Sequence, residues 1–327
     1  MISILNIEPK EYSIKAKAIL KTIGKVDDGL LTRKNLIQKI SGYDVLILRL
    51  GHQIDMEILD AAENLKVIST PTTGLNHINT DYAKEKKIDI LSLKGEIEFL
   101  EDVYATAEHT WALVLALTRK VPQSFQSVKN GEWDRDSFKG KELHGSTLGI
   151  VGFGRIGKKI AKYGQAFGMK VITYTKGIIE QVDGVIQVGS LPILLKQSDI
   201  ISIHVPLDST TRKMFKHKEF ISMKKGALLI NTSRGEIVDE DSLMNAIKNG
   251  GLAGAAIDVI TDEAGLLQKK KSLIIEFAKN DNRLIITPHI GGATFESMEK
   301  TEIFMAQKLV KFYEKELSVE HQIRVIK

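Results

Sequence analysis

Thr147-Leu-Gly-Ile-Val-Gly-Phe-Gly-Arg-Ile-Gly157 is the stretch that decides the fold. An apolar run, Thr147–Val151, leads into Gly152, Gly154 and Gly157, and Lys158-Lys-Ile-Ala-Lys-Tyr163 continues as a helix. Gly152 permits a tight turn, Gly154 lets the backbone approach a pyrophosphate, and Gly157 lets helix and strand pack closely. Backbone N–H groups at the helix start then face the phosphates. The glycine spacing by itself is a weak signal. A strand before it and a helix after it turn it into a dinucleotide cradle, with a merely structural glycine turn as the alternative.

On either side of this stretch, short apolar runs alternate with polar-faced helical segments, which predicts βαβ units and parallel sheets. Ile2–Ile7, Val45–Leu50, Val67–Ser69 and Ile88–Leu91 form one series of strands, with helices between them. Thr147–Val151, Val171–Tyr174, Ile200–His204, Ala227–Ile230, Ala255–Asp258 and Leu284–Thr287 form a second. Several runs in the second series are continuously apolar, as strands covered on both faces are. A helix is expected from about 102 to 119, capped by Asp102, and another from about 297 to 317. The expected architecture is α/β, with two doubly wound domains and the last helix returning to the first.

Composition narrows the function classes. The chain has 327 residues, 43% hydrophobic and 27% charged, the balance of a globular protein with room for two domains. Its net charge is +5, from scattered lysines whose densest runs are Lys84–Lys87 and Lys269–Lys271. Aromatic residues do not interleave with these runs, so they read as solvated faces and nucleic acid is not an expected partner. No apolar run is long enough for a bilayer, and Met1–Ile7 alternates like a strand instead of resembling a signal peptide. There is no cysteine, which excludes disulfides and thiolate chemistry and fits a cytoplasmic setting. No histidine pair has metal-site spacing, and no metal is expected.

Three residues after strand ends carry the candidate chemistry. Arg234 lies in Asn231-Thr-Ser-Arg-Gly235, after the run Ala227–Ile230. A guanidinium fork can hold a carboxylate and polarise an adjacent carbonyl. His289 lies in Thr287-Pro-His-Ile-Gly-Gly292, where Gly291 and Gly292 leave room for a ligand. Glu263 follows Ala255–Asp258. A carboxylate on one imidazole nitrogen would fix the tautomer, and the other nitrogen would exchange a proton with a carbonyl oxygen. Taken singly, each has a bland alternative: a surface arginine, a packed histidine, a solvated acid. Glu108-His109 reads as a packing feature of its helix. After the strand ending at Tyr174, where NAD sites usually place a ribose-binding acid, stand Thr175 and Lys176. Thr175 does not repel a 2′-phosphate and Lys176 can attract one, so NAD and NADP both remain open.

These segments, together with Ile203-His-Val-Pro-Leu207 and Gly254-Ala-Ala-Ile-Asp-Val259, resemble the D-isomer-specific 2-hydroxyacid dehydrogenase family along nearly the whole chain. The resemblance implies a cofactor domain, 101–292, inserted in a discontinuous substrate domain, 1–100 plus 293–327, and a homodimer. It implies NAD or NADP as cofactor and a small anionic 2-keto or 2-hydroxy acid as substrate. It assigns Arg155 and Ile156 to the pyrophosphate, Val205, Pro206 and Thr211 to the adenosine side, and Thr232 and Asp258 to the nicotinamide. Thr73 and Gly74 in Pro71-Thr-Thr-Gly-Leu75 match the loop whose amides hold the substrate carboxylate, and Arg49-Leu50-Gly51 matches a second substrate loop. Arg234, Glu263 and His289 take the catalytic roles.

The chain departs from the pattern at Thr175, at Asn79 where aspartate is common, and at Glu263-Ala-Gly265, which lacks the usual proline and is expected to be looser. The segment 95–102, which borders the substrate cleft in the family, is more acidic than usual, and whether it reshapes the substrate site is left open by the sequence. Against the family pattern, the sequence to Lys327 leads to the expectation that the extra regulatory domain some phosphoglycerate dehydrogenases carry is not present. Phosphite oxidation and a cofactor-sensing, corepressor-like binding protein are the competing readings. Formate oxidation is disfavoured, because that branch carries glutamine where Glu263 stands.

Overall fold

The computed structural model describes residues 2–263 and 271–326, with side chains up to residue 315. Contacts divide the chain into two compact units, Met1–Asp102 with Ala293–Lys327, and Val103–Gly292.

Unit 1 is a five-stranded, fully parallel sheet of β1 (Ile2–Asn6), β2 (Gly24–Asp28), β3 (Val45–Ile47), β4 (Val67–Ser69) and β5 (Asp89–Leu91). Its order is β2-β1-β3-β4-β5, the flavodoxin-like arrangement. Helices α1 (Ile14–Leu20), α2 (Arg33–Lys39), α3 (Met56–Ala61), α4 (Thr80–Glu85) and α5 (Ile97–Glu101) connect or follow the strands. One face of the sheet is covered by Leu36, Ile58 and Leu59. The other is closed by α1 and the C-terminal helix Phe295–Ile326, whose Ala306, Leu309 and Tyr313 pack with Ile4, Val45 and Val67. Asn79 caps α4 through its side chain, accepting from Tyr82 N at 3.1 Å, a task asparagine and aspartate share.

Unit 2 opens with α6 (Ala105–Thr118) and α7 (Val121–Lys129). Then come β6 (Thr147–Val151), α8 (Arg155–Ala166), β7 (Lys170–Tyr174), β8 (Val185–Gln187), α9 (Leu191–Gln197) and β9 (Ile200–Ile203). They are followed by α10 (His217–Ser222), β10 (Ala227–Asn231), α11 (Glu240–Lys248), β11 (Leu252–Ile257), a helix at Leu273–Asn280 and β12 (Leu284–Ile286). All seven strands are parallel, in the order β12-β11-β10-β9-β6-β7-β8. The chain steps outward from β6 to β8, then returns to the other side of β6 at β9. That reversal opens a crevice at the carboxyl ends of β6 and β9, where open α/β sheets bind ligands. β9 and β10 are buried throughout, which explains their largely apolar sequences, Ile-Ile-Ser-Ile and Ala-Leu-Leu-Ile-Asn.

Two short strands depart from the sequence-based expectation. β2 and β8 lie at sheet edges, and their mixed patterns, Gly-Lys-Val-Asp-Asp and Val-Ile-Gln, reflect one wet side. Asp102 does not cap α6: the helix starts three residues later, behind Tyr104, with no side-chain cap. Among the described residues, no helix is long and apolar enough to cross a membrane.

Candidate active site

The cradle is built as its glycines require. Gly152 has φ +95°, and an added Cβ would sit 2.7 Å from the His204 carbonyl carbon on the neighbouring strand end. A Cβ at Gly157 would lie 2.3 Å from the Gly152 oxygen. Gly154, by contrast, faces open space and caps α8 without a side chain. The chain therefore clears the volume in front of the first turn of α8, as a pyrophosphate there demands. Arg155 turns one guanidinium nitrogen to Val103 O at 2.9 Å, and Ile156 is half-buried.

The loops beside the cradle are tied together. Lys176, beyond β7, donates to Thr210 Oγ1 at 2.6 Å, and Thr210 donates to Asp208 at 2.6 Å. Lys176 is thus held across the crevice rim, while Thr175 leaves the end of β7 without a carboxylate. Thr211 is buried and spends its hydroxyl inside its own loop, donating to Pro206 O at 2.7 Å and accepting from Asp208 N at 2.8 Å. Its part in the cofactor loop is to set the shape of Val205–Thr211.

Arg234, Glu263 and His289 come together in unit 2. Arg234 follows β10 in a turn closed by Asn231, whose Nδ2 donates to Arg234 O at 2.9 Å and whose Oδ1 accepts from Ser233 N at 3.0 Å. Burial pulls the Arg234 guanidinium below its ordinary pKa, opposed by the carboxylates of Glu263 and Glu236. The Arg234 side chain is half-buried and donates from Nη1 to Ser233 O at 2.6 Å. Gly235 brings this turn against the loop after β11: an added Cβ would meet Ile260 C at 2.0 Å and Thr261 N at 2.5 Å. Three residues beyond Ile260, Glu263 places Oε2 2.6 Å from His289 Nδ1. That leaves Nε2 as the nitrogen that can meet a substrate. His289 itself has φ +55°, and Asp262, next to Glu263, has φ +55° as well. His289 and the residue preceding Glu263 thus occupy backbone that costs a non-glycine residue energy, as at many functional sites.

Asp258 holds the histidine turn. Its carboxylate is 1% exposed. Oδ1 accepts from Thr287 Oγ1 at 2.6 Å and Ile290 N at 2.9 Å, Oδ2 accepts from Gly291 N at 2.7 Å, and its carbonyl accepts from His289 N at 2.9 Å. Burial pushes the Asp258 carboxyl up, but His109, Thr287 and these amides outweigh it and hold it below the usual carboxylate range. His109 is the participant that sequence reading missed. It sits on an apolar-faced helix, and only the three-dimensional neighbourhood of Thr287 distinguishes it from packing. Thr232 is buried beside Arg234's turn, its hydroxyl 2.7 Å from that of Thr110.

The substrate-side candidates lie in unit 1. The Arg49 guanidinium donates to Glu8 O at 2.8 Å and Lys10 O at 2.9 Å and pairs with Glu302 at 3.5 Å. The amides of Arg49 and Gly51 both donate to Glu8 Oε1, at 2.9 and 3.0 Å. An internal carboxylate therefore occupies this loop, next to the exposed Leu50. At Thr73 and Gly74 the backbone amides make no hydrogen bond among the described residues. The acidic segment 95–102 is tied back within the unit. Glu96 pairs with Lys308, Asp102 with Lys300 at 3.7 Å, and Phe99 stacks on Phe304 at 3.9 Å. Ala264 and Gly265, and Lys269 and Lys270 of the lysine run, lie outside the described residues.

The sequence profile described as D-isomer specific 2-hydroxyacid dehydrogenase, NAD binding domain, matches residues 111–291. The chain is 36% identical to D-3-phosphoglycerate dehydrogenase of Methanocaldococcus jannaschii over 323 residues, covering 97% of this chain and 59% of that protein. It is 35% identical to hydroxypyruvate reductase of Thermotoga maritima, covering 86% of this chain and 88% of that one. A crystal structure of D-lactate dehydrogenase from Aquifex aeolicus, complexed with NAD and lactic acid, superposes with a TM-score of 0.83 at 29% identity, covering 97% of this chain and 96% of that one.

The contact between the two loops yields a stability prediction. Gly235→Ala drives a methyl into backbone that has nowhere to go, and overpacking costs about 1–3 kcal/mol. Gly292→Ala, with nothing within 4 Å of the new methyl, should stay within about 0.5 kcal/mol of the parent. Urea unfolding of the three proteins checks this; equal midpoints for both variants would contradict the close contact.

Proposed function

The chain belongs to the D-isomer-specific 2-hydroxyacid dehydrogenase family, and we propose that it interconverts a small 2-keto acid and its 2-hydroxy acid with NAD or NADP. Unit 2 is the cofactor domain and unit 1 the substrate domain in this reading, and the absence of cysteine supports a cytoplasmic setting. The observation that carries it is the 2.6 Å Glu263–His289 pair, on the same edge of strand ends as the half-buried Arg234. The cleared volume before α8 fits a pyrophosphate, and a nicotinamide cofactor bound there supplies or takes the hydride. Arg234 holds the substrate carboxylate by its fork and polarises the adjacent carbonyl. Glu263 keeps His289 Nδ1 engaged, so Nε2 delivers a proton to the carbonyl oxygen in reduction and recovers it from the hydroxyl in oxidation. Asp258 and Thr232 fix the backbone beside the nicotinamide position. We assign the amides of Thr73 and Gly74 to the substrate carboxylate on the family's pattern.

Activity should appear in a panel of glyoxylate, hydroxypyruvate, pyruvate and 3-phosphohydroxypyruvate assayed with NADH and NADPH. His289→Ala should lower kcat by roughly 10²- to 10⁴-fold with little change in cofactor affinity. Arg234→Lys should raise KM and lower kcat together, because a point charge does not replace a fork. A His289→Ala protein with near-parental kcat, or binding of NADH without turnover of any acid in the panel, would defeat the enzymatic reading. The second result would favour a cofactor-sensing binding protein.

Cofactor choice follows from the end of β7. With Thr175 there and Lys176 anchored on Thr210, NADPH should be used beside NADH. Thr175→Asp should shift the kcat/KM ratio toward NADH by about tenfold or more, equivalent to ~1.4 kcal/mol. If the parent already rejects NADPH as strongly as the variant, another residue reads the ribose.

The homodimer has a candidate surface on α7. Val121, Phe125 and Val128 are 51%, 63% and 52% exposed at helical spacing, and Trp133 is 90% exposed just beyond them. An apolar stripe of this kind suits a second copy of the same helix. Light scattering should give twice the 36.4 kDa chain mass for the parent and a shift toward one chain mass for Phe125→Glu. A parent that runs as a single chain, or a variant that remains fully dimeric, argues against this face.

A further inference from the structure

The turns that carry Arg234 and His289 leave different strands, yet one helix grips both. On α6, Thr110 Oγ1 lies 2.7 Å from Thr232 Oγ1, two residues before Arg234. The adjacent His109 places Nε2 3.0 Å from Thr287 Oγ1, two residues before His289, and 3.2 Å from Asp258 Oδ1. The α6 face continues at Thr106, whose methyl would stand 3.5 Å from a Cβ added at Gly291.

Proton counting assigns the direction of each bond. A hydroxyl carries one proton. Thr287 spends its own on Asp258 Oδ1 at 2.6 Å, so toward His109 it accepts. His109 Nε2 must therefore carry a proton, shared between Thr287 Oγ1 and Asp258 Oδ1. Thr110 spends its proton on Thr106 O at 2.6 Å, so Thr232 donates to Thr110. Each loop is thereby fixed by a bond with a defined donor, from neighbouring residues of one rigid helical turn.

We propose that His109 and Thr110 are positioning residues, which make α6 the bar that sets the separation of the acid–base histidine from the carboxylate-anchoring arginine. His109 acts through Asp258 and Thr287 on the left-handed turn at His289, and Thr110 acts through Thr232 on the turn at Arg234. The inference rests on the roles proposed above for Arg234 and His289.

The two side chains should fail differently. With hydroxypyruvate and NADH as probes, His109→Leu should lower kcat by roughly 10- to 100-fold, the usual effect of losing a residue that orients a functional group, with KM within about twofold. His109→Gln, which returns a donor to the Nε2 position, should recover most of that loss. Thr110→Val, which keeps the shape and removes the hydroxyl, should act mainly on KM, raising it several-fold, and Thr110→Ser should restore it. Independently of turnover, 15N NMR of the protein without cofactor should show His109 protonated at Nε2. Failure takes recognisable forms: a His109 protonated only at Nδ1, a His109→Gln protein no better than His109→Leu, or kcat and KM moving alike in both unrescued variants in step with melting temperature. Parental kinetics in His109→Leu and Thr110→Val, with His289→Ala inactive, would remove the positioning role alone. An active His289→Ala would remove the reading beneath it.

Discussion

An ionised carboxylate buried to 1% exposure has to be surrounded by donors, and Asp258 draws them from everything nearby. Burying a charge costs several kcal/mol unless it is met by hydrogen bonds. Here the compensation comes from Thr287, Ile290, Gly291 and His109. The end of β11, the turn after β12 and helix α6 are consequently locked to one pair of oxygen atoms. The left-handed conformation of His289 is held open by this arrangement, which over-determines a backbone that the residue would avoid on its own. The imidazole then has only its Glu263 bond left to settle its orientation.

Sheet order gives that cluster its place. Because the chain reverses between β8 and β9, loops from β6, β7, β9, β10 and β11 open on one edge without crossing one another. The glycines do separate work along that edge. Gly152 and Gly157 pull strand, helix and neighbouring strand into contact, whereas Gly235 welds two functional loops to each other. Without the last contact, Arg234 and Glu263 would belong to independent segments.

How much of this was legible from the residues depended on burial. Strands covered on both faces, such as β9 and β10, stand out as largely apolar runs, and their positions followed at once. The edge strands β2 and β8 did not, because a strand with one wet side and three to five residues looks like a loop. Arg234, Glu263 and His289 were identifiable by their place after strand ends. His109 was not, because its partners Thr287 and Asp258 are remote in sequence and its own helix reads as packing. At Arg49 the loop pattern was legible, but the bonds its guanidinium makes to the Glu8 carbonyl and to Glu302 were not. Side-chain type and spacing cannot reveal a competing internal acid.

The C-terminal helix carries a consequence for how the chain is made. Leu309 and Tyr313 cover Ile4, Val45 and Val67, and Glu302 accepts from Ser13 N at 2.7 Å. The covering residues are therefore translated roughly 200 residues after the sheet they cover, and at about 5–20 residues per second that sheet waits for roughly 10–40 s. Unit 2, encoded as a single stretch, has all its strands in hand before that wait ends. Vectorial synthesis thus hands the nascent chain a finished cofactor domain while one greasy face of its first sheet is still covered by α1 alone.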